Sequence, residues 1–85
     1  MNRKIEFNAG YHEWNVLVDG ECVYSFGDLT EFFETGDSAE EVTEVLLDAL
    51  AEYFKAEEKE YPLSDEETDF LSNLMTEKLY CQYVA

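Results

Sequence analysis

The sequence predicts an α+β fold, a three-stranded antiparallel β-meander followed by two or three α-helices packed on one face of the sheet. Two observations predict it. Apolar and polar residues alternate in the first third of the chain, which is typical of strands, whereas apolar residues recur every three or four positions in the rest, which is typical of helices. A chain of 85 residues has room for one hydrophobic core, so residues 1–85 are predicted to form a single domain.

The three strands are predicted at residues 3–8, 12–17 and 21–26. In the first, Ile5 and Phe7 share one face, with Lys4 and Glu6 on the other. Residues 8–10 contain Asn and Gly and predict the first turn, and residues 18–20 predict the turn of a hairpin. Together these segments predict an antiparallel meander with one apolar face.

The second hairpin allows two registers. A two-residue turn at Asp19 and Gly20 would set Trp14 and Val16 beside a largely polar set of residues on the third strand. A three-residue loop with Gly20 in the left-handed conformation places five residues on one face: Trp14, Val16, Cys22, Tyr24 and Phe26. We prefer the second register because it buries the aromatic side chains together.

Three helices are predicted, each beginning at a capping box, in which a Ser or Asp precedes a Glu by three positions. The boxes start at Asp28, Ser38 and Ser64. The first helix is short and ends at Gly36, the second runs to about Glu57, and the third runs to about Tyr80. Because glutamates also suit the positive N-terminal end of a helix, part of the acidity serves the fold.

The two longer helices carry apolar stripes that are expected to pack on the sheet. The stripe of the second helix consists of Val42, Val45, Leu46, Ala49, Leu50, Tyr53 and Phe54, and that of the third of Phe70, Leu71, Leu74, Met75 and Leu79. The polar connection between them is predicted to be an exposed loop.

The charge balance restricts the function. The chain has 21 acidic and 5 basic residues, a net charge of −16. Such a surface repels phosphates, so the sequence argues against direct binding to nucleic acid or to an anionic membrane and favours a basic protein as partner. With 46% apolar residues the chain is too hydrophobic for a disordered acidic tail. Two simpler explanations are that the charge only maintains solubility, or that it reflects a salt-adapted proteome.

The negative charge is concentrated between Ile5 and Phe54, where no Lys or Arg occurs. In the second helix, carboxylates recur every three or four residues opposite the apolar stripe. We call Glu40, Glu41, Glu44, Asp48 and Glu52 the acidic row. An i to i+4 step is about 6 Å along a helix, comparable in scale to the phosphate spacing of a nucleic-acid strand. The preceding segment also carries carboxylates, including Asp28, and would extend the row around the corner between the first two helices. We call Glu31, Glu34 and Asp37 the acidic corner. The row and the corner are the predicted partner-binding residues. An ordinary solvated helix face is the alternative.

Evidence for catalysis or metal binding is weak, so the sequence predicts neither an enzyme nor a cofactor. His12 is the single histidine, and neither it nor the two cysteines lies at the spacing of a metal motif. Cys22 is expected to be a buried structural thiol. The acidic runs lack the ligand pattern of a calcium-binding loop. Paired carboxylates are expected on exposed faces instead of in an acid–base site.

Aromatic residues near turns and termini are a further indication of binding. Tyr11, Tyr61, Tyr80 and Tyr83 are expected on or near the surface, where a ring can cover an arginine of the partner, although core packing is the alternative. Phe32 and Phe33 are adjacent on a short helix and cannot easily face the same way. They are expected to include a core residue.

The location is expected to be cytoplasmic, with both thiols reduced. The first ten residues lack the apolar core of a signal peptide, and no apolar run approaches the roughly 20 residues of a membrane span.

In size, acidity and α+β layout the chain resembles the small acidic proteins with which bacteriophages and mobile elements counter host defences, the anti-CRISPR and anti-restriction proteins, several of which are DNA mimics. The resemblance carries over no individual residue. It implies a cytoplasmic inhibitor, in the host cell if phage-encoded, that occupies the nucleic-acid site of a defence enzyme. The alternatives are an immunity or antitoxin-like protein that neutralises a basic toxin, and an interaction or assembly module. Monomer and homodimer both remain open.

Overall fold

A computed structural model describes residues 3–34 and 36–84, except for the side chain of Val84. The strands are β1 (Ile5–Gly10), β2 (Glu13–Val18) and β3 (Glu21–Phe26), and the helices are α1 (Thr30–Glu34), α2 (Ala39–Ala56) and α3 (Asp65–Leu79), followed by a π-helical turn, Tyr80–Val84. The sheet is antiparallel throughout, in the order β1-β2-β3. The predicted α+β fold is therefore confirmed.

The first turn lies later in the chain than predicted. β1 continues through the expected turn at residues 8–10, and the two turn residues are Tyr11 and His12, the latter with φ 60°. The longer ladder pairs Phe7 with Val16 and sets the Phe7 ring against that of Trp14, with ring centroids 4.7 Å apart. Stacking of two large rings stabilises the longer hairpin more than an earlier turn would.

The second hairpin has a two-residue turn, so the predicted three-residue loop is wrong. Asp19 and Gly20 both have positive φ, 52° and 82°, which suits the tight turn that matches the twist of paired strands. Asp19 also accepts a hydrogen bond at Oδ1 from the backbone N–H of Lys4, 2.9 Å away. The turn is thereby tied to the start of β1.

A bulge in β3 restores the expected aromatic face. Val16 pairs with Tyr24 and Leu17 with Cys22, which leaves Val23 as an extra residue on β3. The irregularity lets Tyr24 and Phe26 lie on the same face as Val16. It also reverses the side of Cys22, which is exposed, with Sγ 3.4 Å from Ser25 Oγ. The prediction of a buried Cys22 thiol is therefore wrong.

The core is one cluster that combines the inner face of the sheet with both long helices. α3 lies against β1 and buries Leu71, Met75 and Leu79, while α2 lies against α3. α2 reaches the sheet through Tyr53, whose ring centroid is 4.7 Å from that of Tyr24. The helix in direct backbone contact with the sheet is thus α3.

Three residues of the predicted apolar stripes lie on the surface. Val45 and Phe70 are 46% and 42% exposed, and Ala49 is exposed as well. In their place the helices bury two polar residues, Thr43 and Glu67. The stripes are therefore narrower than the apolar periodicity predicts, because α2 faces a second helix and not a broad sheet.

The predicted signals hold at the starts of α2 and α3 and at the end of α1, whereas at the start of α1 Asp28 bonds Thr30 instead of forming the predicted capping box with Glu31. Ser64 and Glu67 form a complete capping box at α3, and Ser38 accepts a hydrogen bond from the Glu41 backbone N–H at α2. At the end of α1, Gly36 has φ 91°, its N–H bonds the carbonyl of Phe33, and the N–H of Asp37 bonds the carbonyl of Phe32. This pair of bonds is a Schellman motif, which needs the left-handed conformation that glycine adopts without strain.

Candidate protein-binding surface

The acidic row lies on the face of α2 that points away from the core. Its five members are all exposed: Glu40, Glu41, Glu44, Asp48 and Glu52. At 1.5 Å per residue the row is about 18 Å long. The buried side chains of α2 occupy the opposite face, which fixes the orientation of the helix and keeps the carboxylates in solvent.

The basic residues of the chain are engaged elsewhere or lie at the end of the row. The ion pairs within residues 3–34 and 36–84 join Arg3 to Glu67 and Lys4 to Glu6. Lys78 donates to Asn8 Oδ1 at 3.4 Å, and the Lys59 ammonium lies over the ring of Tyr53. Lys55 is in the last turn of α2, where a cation suits the helix C-terminus. The row is therefore left with little neutralisation from within the chain.

The carboxylates of the row repel one another. Like charges at i and i+4 on a helix surface cost a few tenths of a kcal/mol per pair. Glu40, Glu44, Asp48 and Glu52 form three such pairs in succession. The helix is stable in spite of this because its inner face packs Val42, Leu46 and Leu50 into the core.

The acidic corner is more heterogeneous than the row. Glu31 and Glu34 are exposed on α1, whereas Asp37 is half-buried just before α2. Asp28, which the sequence places beside them, is occupied with folding. Its Oδ1 accepts hydrogen bonds from the Thr30 hydroxyl and backbone N–H, at 2.6 and 2.9 Å, and these bonds lower the pKa of Asp28. Asp37 comes just before α2 and therefore lies beside the start of the row, whereas a turn separates Glu31 and Glu34 from the row.

A groove between α2 and α3 adds a carboxylate that the sequence interpretation missed. Glu77 of α3 lines the same open groove, of about 520 Å³, as Glu40 and Glu44 of α2. The two helices run in opposite directions, so the end of α3 lies beside the start of α2. Glu77 is exposed and belongs to the helical turn that ends at Tyr80. The sequence pattern carries no signal for it, because the groove exists only once α3 packs beside α2.

A second stretch of groove lies farther along the same helix pair. There Asp48 of the row and Asp65 of α3 line a space of about 430 Å³, with Leu47 and Tyr61 between them. Carboxylates therefore stand on both walls of the groove at two levels.

The helices are joined at the bottom of the groove by hydroxyl groups. Thr76 Oγ1 lies 3.0 Å from Thr43 Oγ1, to which it donates, and Thr43 Oγ1 donates to the Ala39 carbonyl at 2.8 Å. Thr43 is only 1% exposed, so its hydroxyl is satisfied entirely inside the protein. This contact fixes the separation of the two acidic walls.

The predicted surface tyrosines divide into two groups. Tyr11 is 89% exposed at the first turn, and Tyr80 is 52% exposed where it lines the groove with Glu40 and Glu77. Tyr61 is half-buried against Phe54, and Tyr83 is half-buried between other rings, so core packing is the right interpretation for these two. Of the two tyrosines that line the groove, Tyr80 is therefore the more exposed and the better placed to contact a ligand.

The residues considered for catalysis lie apart in the structure. His12 is in the first turn, Cys22 on the outer face of the sheet, and Cys81 in the π-helical turn, all exposed. Within the described part of the chain, no three side chains of His, Cys, Asp or Glu form a group that could hold a metal ion.

No protein-family model matches this chain, and neither a curated protein nor a solved structure matches it. Among residues 3–34 and 36–84, no helix has both the length and the apolar composition that crossing a membrane requires.

Proposed function

We propose that this protein is a cytoplasmic inhibitor that binds the basic nucleic-acid-binding surface of a host defence enzyme, such as a CRISPR effector or a restriction system. The acidic row of α2 forms the centre of the binding surface, and its carboxylates take the place of phosphates. The observation that carries the proposal is the exposure of all five carboxylates of the row, with the basic residues of the described chain placed largely elsewhere.

A row of like charges on one helix costs the protein stability. Solubility requires charge but not a line of like charges on one helix, and alternating lysines would give favourable i, i+4 pairs. A row that destabilises its own helix is explained if a partner supplies the missing cations. Binding then neutralises several carboxylates at once, because attraction to the partner's cations offsets the repulsion within the row.

The groove beside the row suits arginine in particular. Glu40, Glu44 and Glu77 offer carboxylates that a guanidinium can bind with two parallel hydrogen bonds. The exposed ring of Tyr80 at the same groove can stack on the guanidinium plane. Nucleic-acid-binding surfaces are rich in arginine, which bonds phosphate with the same geometry.

The test is capture of a partner by the immobilised chain, with identification by mass spectrometry, at about 0.05 M and about 0.5 M NaCl, over which range the screening length falls severalfold. A nucleic-acid-binding enzyme should be captured at low salt and lost at high salt. The triple substitution Glu44→Lys, Asp48→Lys and Glu52→Lys should weaken its binding about tenfold or more, because the charges that steer and hold the complex are reversed.

The matched control reverses three exposed glutamates away from the row, Glu21, Glu58 and Glu60, with the same change in net charge. It should retain most of the binding. If both triple variants lose binding equally, net charge and not the row is responsible. Capture of a toxin with no nucleic-acid-binding activity would contradict the proposed target.

A further inference from the structure

α1 carries two of the three residues of the acidic corner, Glu31 and Glu34, and packs against the core through two phenylalanines that are only partly buried. α1 has five residues and no fully buried side chain. A helix of this length is not stable by itself in water, so its position depends on what it packs against. Its neighbour is the π-helical turn at the C-terminal end of α3.

Tyr83 makes the contact between α1 and that turn. Its ring is stacked on that of Phe33, with centroids 4.5 Å apart and planes within 7° of parallel. This geometry places a flat aromatic surface of the C-terminal turn against α1. This ring stack joins α1 to the C-terminal turn.

The other side of Tyr83 is fixed to the sheet. Trp14 donates its indole N–H to the Tyr83 hydroxyl oxygen at 3.2 Å, and Trp14 itself is buried and stacked on Phe7. Tyr83 also continues, at four-residue spacing, the buried stripe of α3 that includes Leu79. One ring thus connects the sheet and α3 to a short helix in which no side chain is fully buried.

We propose that Tyr83 is a positioning residue that fixes α1 against the body of the protein and thereby sets where Glu31 and Glu34 stand relative to the acidic row. The binding part of this inference rests on the proposed function, and the positioning part does not. The acidic surface then has two parts: a row fixed by the core packing of α2, and a corner to whose geometry the stack of Tyr83 on Phe33 contributes.

The first test measures amide hydrogen exchange in the full chain without any partner. The amides of Gly36 and Asp37 report on α1, since they donate to the carbonyls of Phe33 and Phe32. In Tyr83→Leu they should exchange about five to ten times faster, the range expected for loss of one aromatic stack. The amides of Val42 and Thr68, which close the first turns of α2 and α3, should stay within about twofold of wild type, because the loss is local.

Two variants separate the stack from other roles of Tyr83. Tyr83→Phe keeps the ring stack and removes only the hydroxyl that accepts from Trp14, so α1 exchange should rise less than in Tyr83→Leu. Phe33→Leu removes the stack from the α1 side and should reproduce Tyr83→Leu. It also carries the test if Tyr83→Leu does not fold. Equal acceleration at Gly36 and Val42, or no acceleration at Gly36 in Phe33→Leu, would overturn the positioning role.

The second test measures binding of a nona-arginine peptide at low salt. In the otherwise wild-type chain, Glu31→Lys with Glu34→Lys should weaken binding about threefold or more, the effect of two surface charge contacts. In the Tyr83→Leu background the same two substitutions should reduce the binding free energy by less than about half as much as in the otherwise wild-type chain, because a loosened α1 no longer holds its charges in place. Equal costs in both backgrounds would show that Tyr83 does not position these carboxylates.

The outcomes also separate this inference from the proposed function. If reversing Glu44, Asp48 and Glu52 leaves peptide binding unchanged, the role of the row fails, while the exchange measurements still decide whether Tyr83 fixes α1. If the row matters and the α1 pair does not, the row stands alone and the corner is removed from the binding surface.

Discussion

Glu67 differs from the carboxylates of the acidic surface because folding removes it from solvent. It is 6% exposed, and Arg3 holds it with two donors, Nε at 2.7 Å from Oε2 and Nη2 at Oε1. The backbone N–H of Ser64 donates to the same carboxylate at 2.9 Å, and Arg3 also reaches the Pro62 carbonyl at 2.7 Å. A residue from before β1 is thus attached to the start of α3.

These donors lower the pKa of Glu67 from 4.5 to about 2, the Arg3 hydrogen bond being the largest cause and the Ser64 backbone bond the next. A carboxylate whose pKa is lower in the folded state stabilises the fold above the pKa of the unfolded chain, and this stabilisation is lost as the pH falls towards the folded pKa. Wild type should therefore be more stable than Glu67→Gln at pH 7, by a margin that shrinks between about pH 4.5 and pH 2.

Urea unfolding at several pH values and constant salt measures this margin. Comparison with the variant is essential, because protonation of the surface carboxylates also relieves repulsion as the pH falls. The exposed Glu60→Gln should show no comparable change in margin. A Glu67→Gln margin that is the same at pH 7 and pH 3 would contradict the role given to the ion pair.

For single residues, the sequence predicts the structure correctly where residues nearby in the chain determine it. Ser64 and Glu67 were predicted to cap α3, and they do. The burial of Glu67 was not predicted, since its partner Arg3 is 64 positions away and nothing in the local pattern joins them. Cys22 was placed on the wrong face for a related reason, because one extra residue in β3 reverses the alternation.

At the scale of elements, α2 carries opposing requirements on its two faces. The inner face is buried against α3 and the sheet, and the outer face bears the acidic row. Asp48 lies between Glu44 and Glu52 at four-residue spacing, so it takes part in two repulsive pairs.

Asp48→Lys should stabilise the protein by about 1 kcal/mol, because two repulsive pairs become attractive and Lys has the higher helix propensity. Thermal or urea unfolding at low salt measures it, and the gain should diminish at high salt. Under the proposed function the same substitution weakens partner binding. A variant that is more stable and binds as well as wild type would leave the row without a function.

The elements themselves were largely predictable, but their arrangement was less so. Apolar periodicity and capping residues located all three helices to within a few residues. The packing order was not predicted, since α2 has the stronger apolar stripe and yet α3 lies against β1. Periodicity shows that a helix has a buried face but does not show which element covers it. For the same reason Glu77 and Asp65, which line the groove beside the row, were missed.

In the whole molecule, some carboxylates are bonded within the fold and others remain in solvent. Glu67 belongs to the fold through its capping box and the Arg3 ion pair. Glu40 and Glu41 belong to the row and also lie in the first turn of α2, whereas the rest of the row serves no helix start. A net charge of −16 on one core opposes compaction, and burial of the aromatic face of the sheet against the helices offsets it. The row could be read from the sequence because helix spacing alone determines it. The groove could not, because it exists only once α3 lies beside α2.

The proposed function requires the acidic row to compete with nucleic acid, and a displacement experiment measures this competition. A fluorescently labelled nucleic acid is bound to the captured partner enzyme, and its anisotropy is followed as the chain is added. Wild type should release the nucleic acid, the triple reversal at Glu44, Asp48 and Glu52 should not, and the reversal at Glu21, Glu58 and Glu60 should do so nearly as well as wild type. Binding of wild type to the partner without release of the nucleic acid, or equal release by the Glu44, Asp48 and Glu52 variant, would contradict the account.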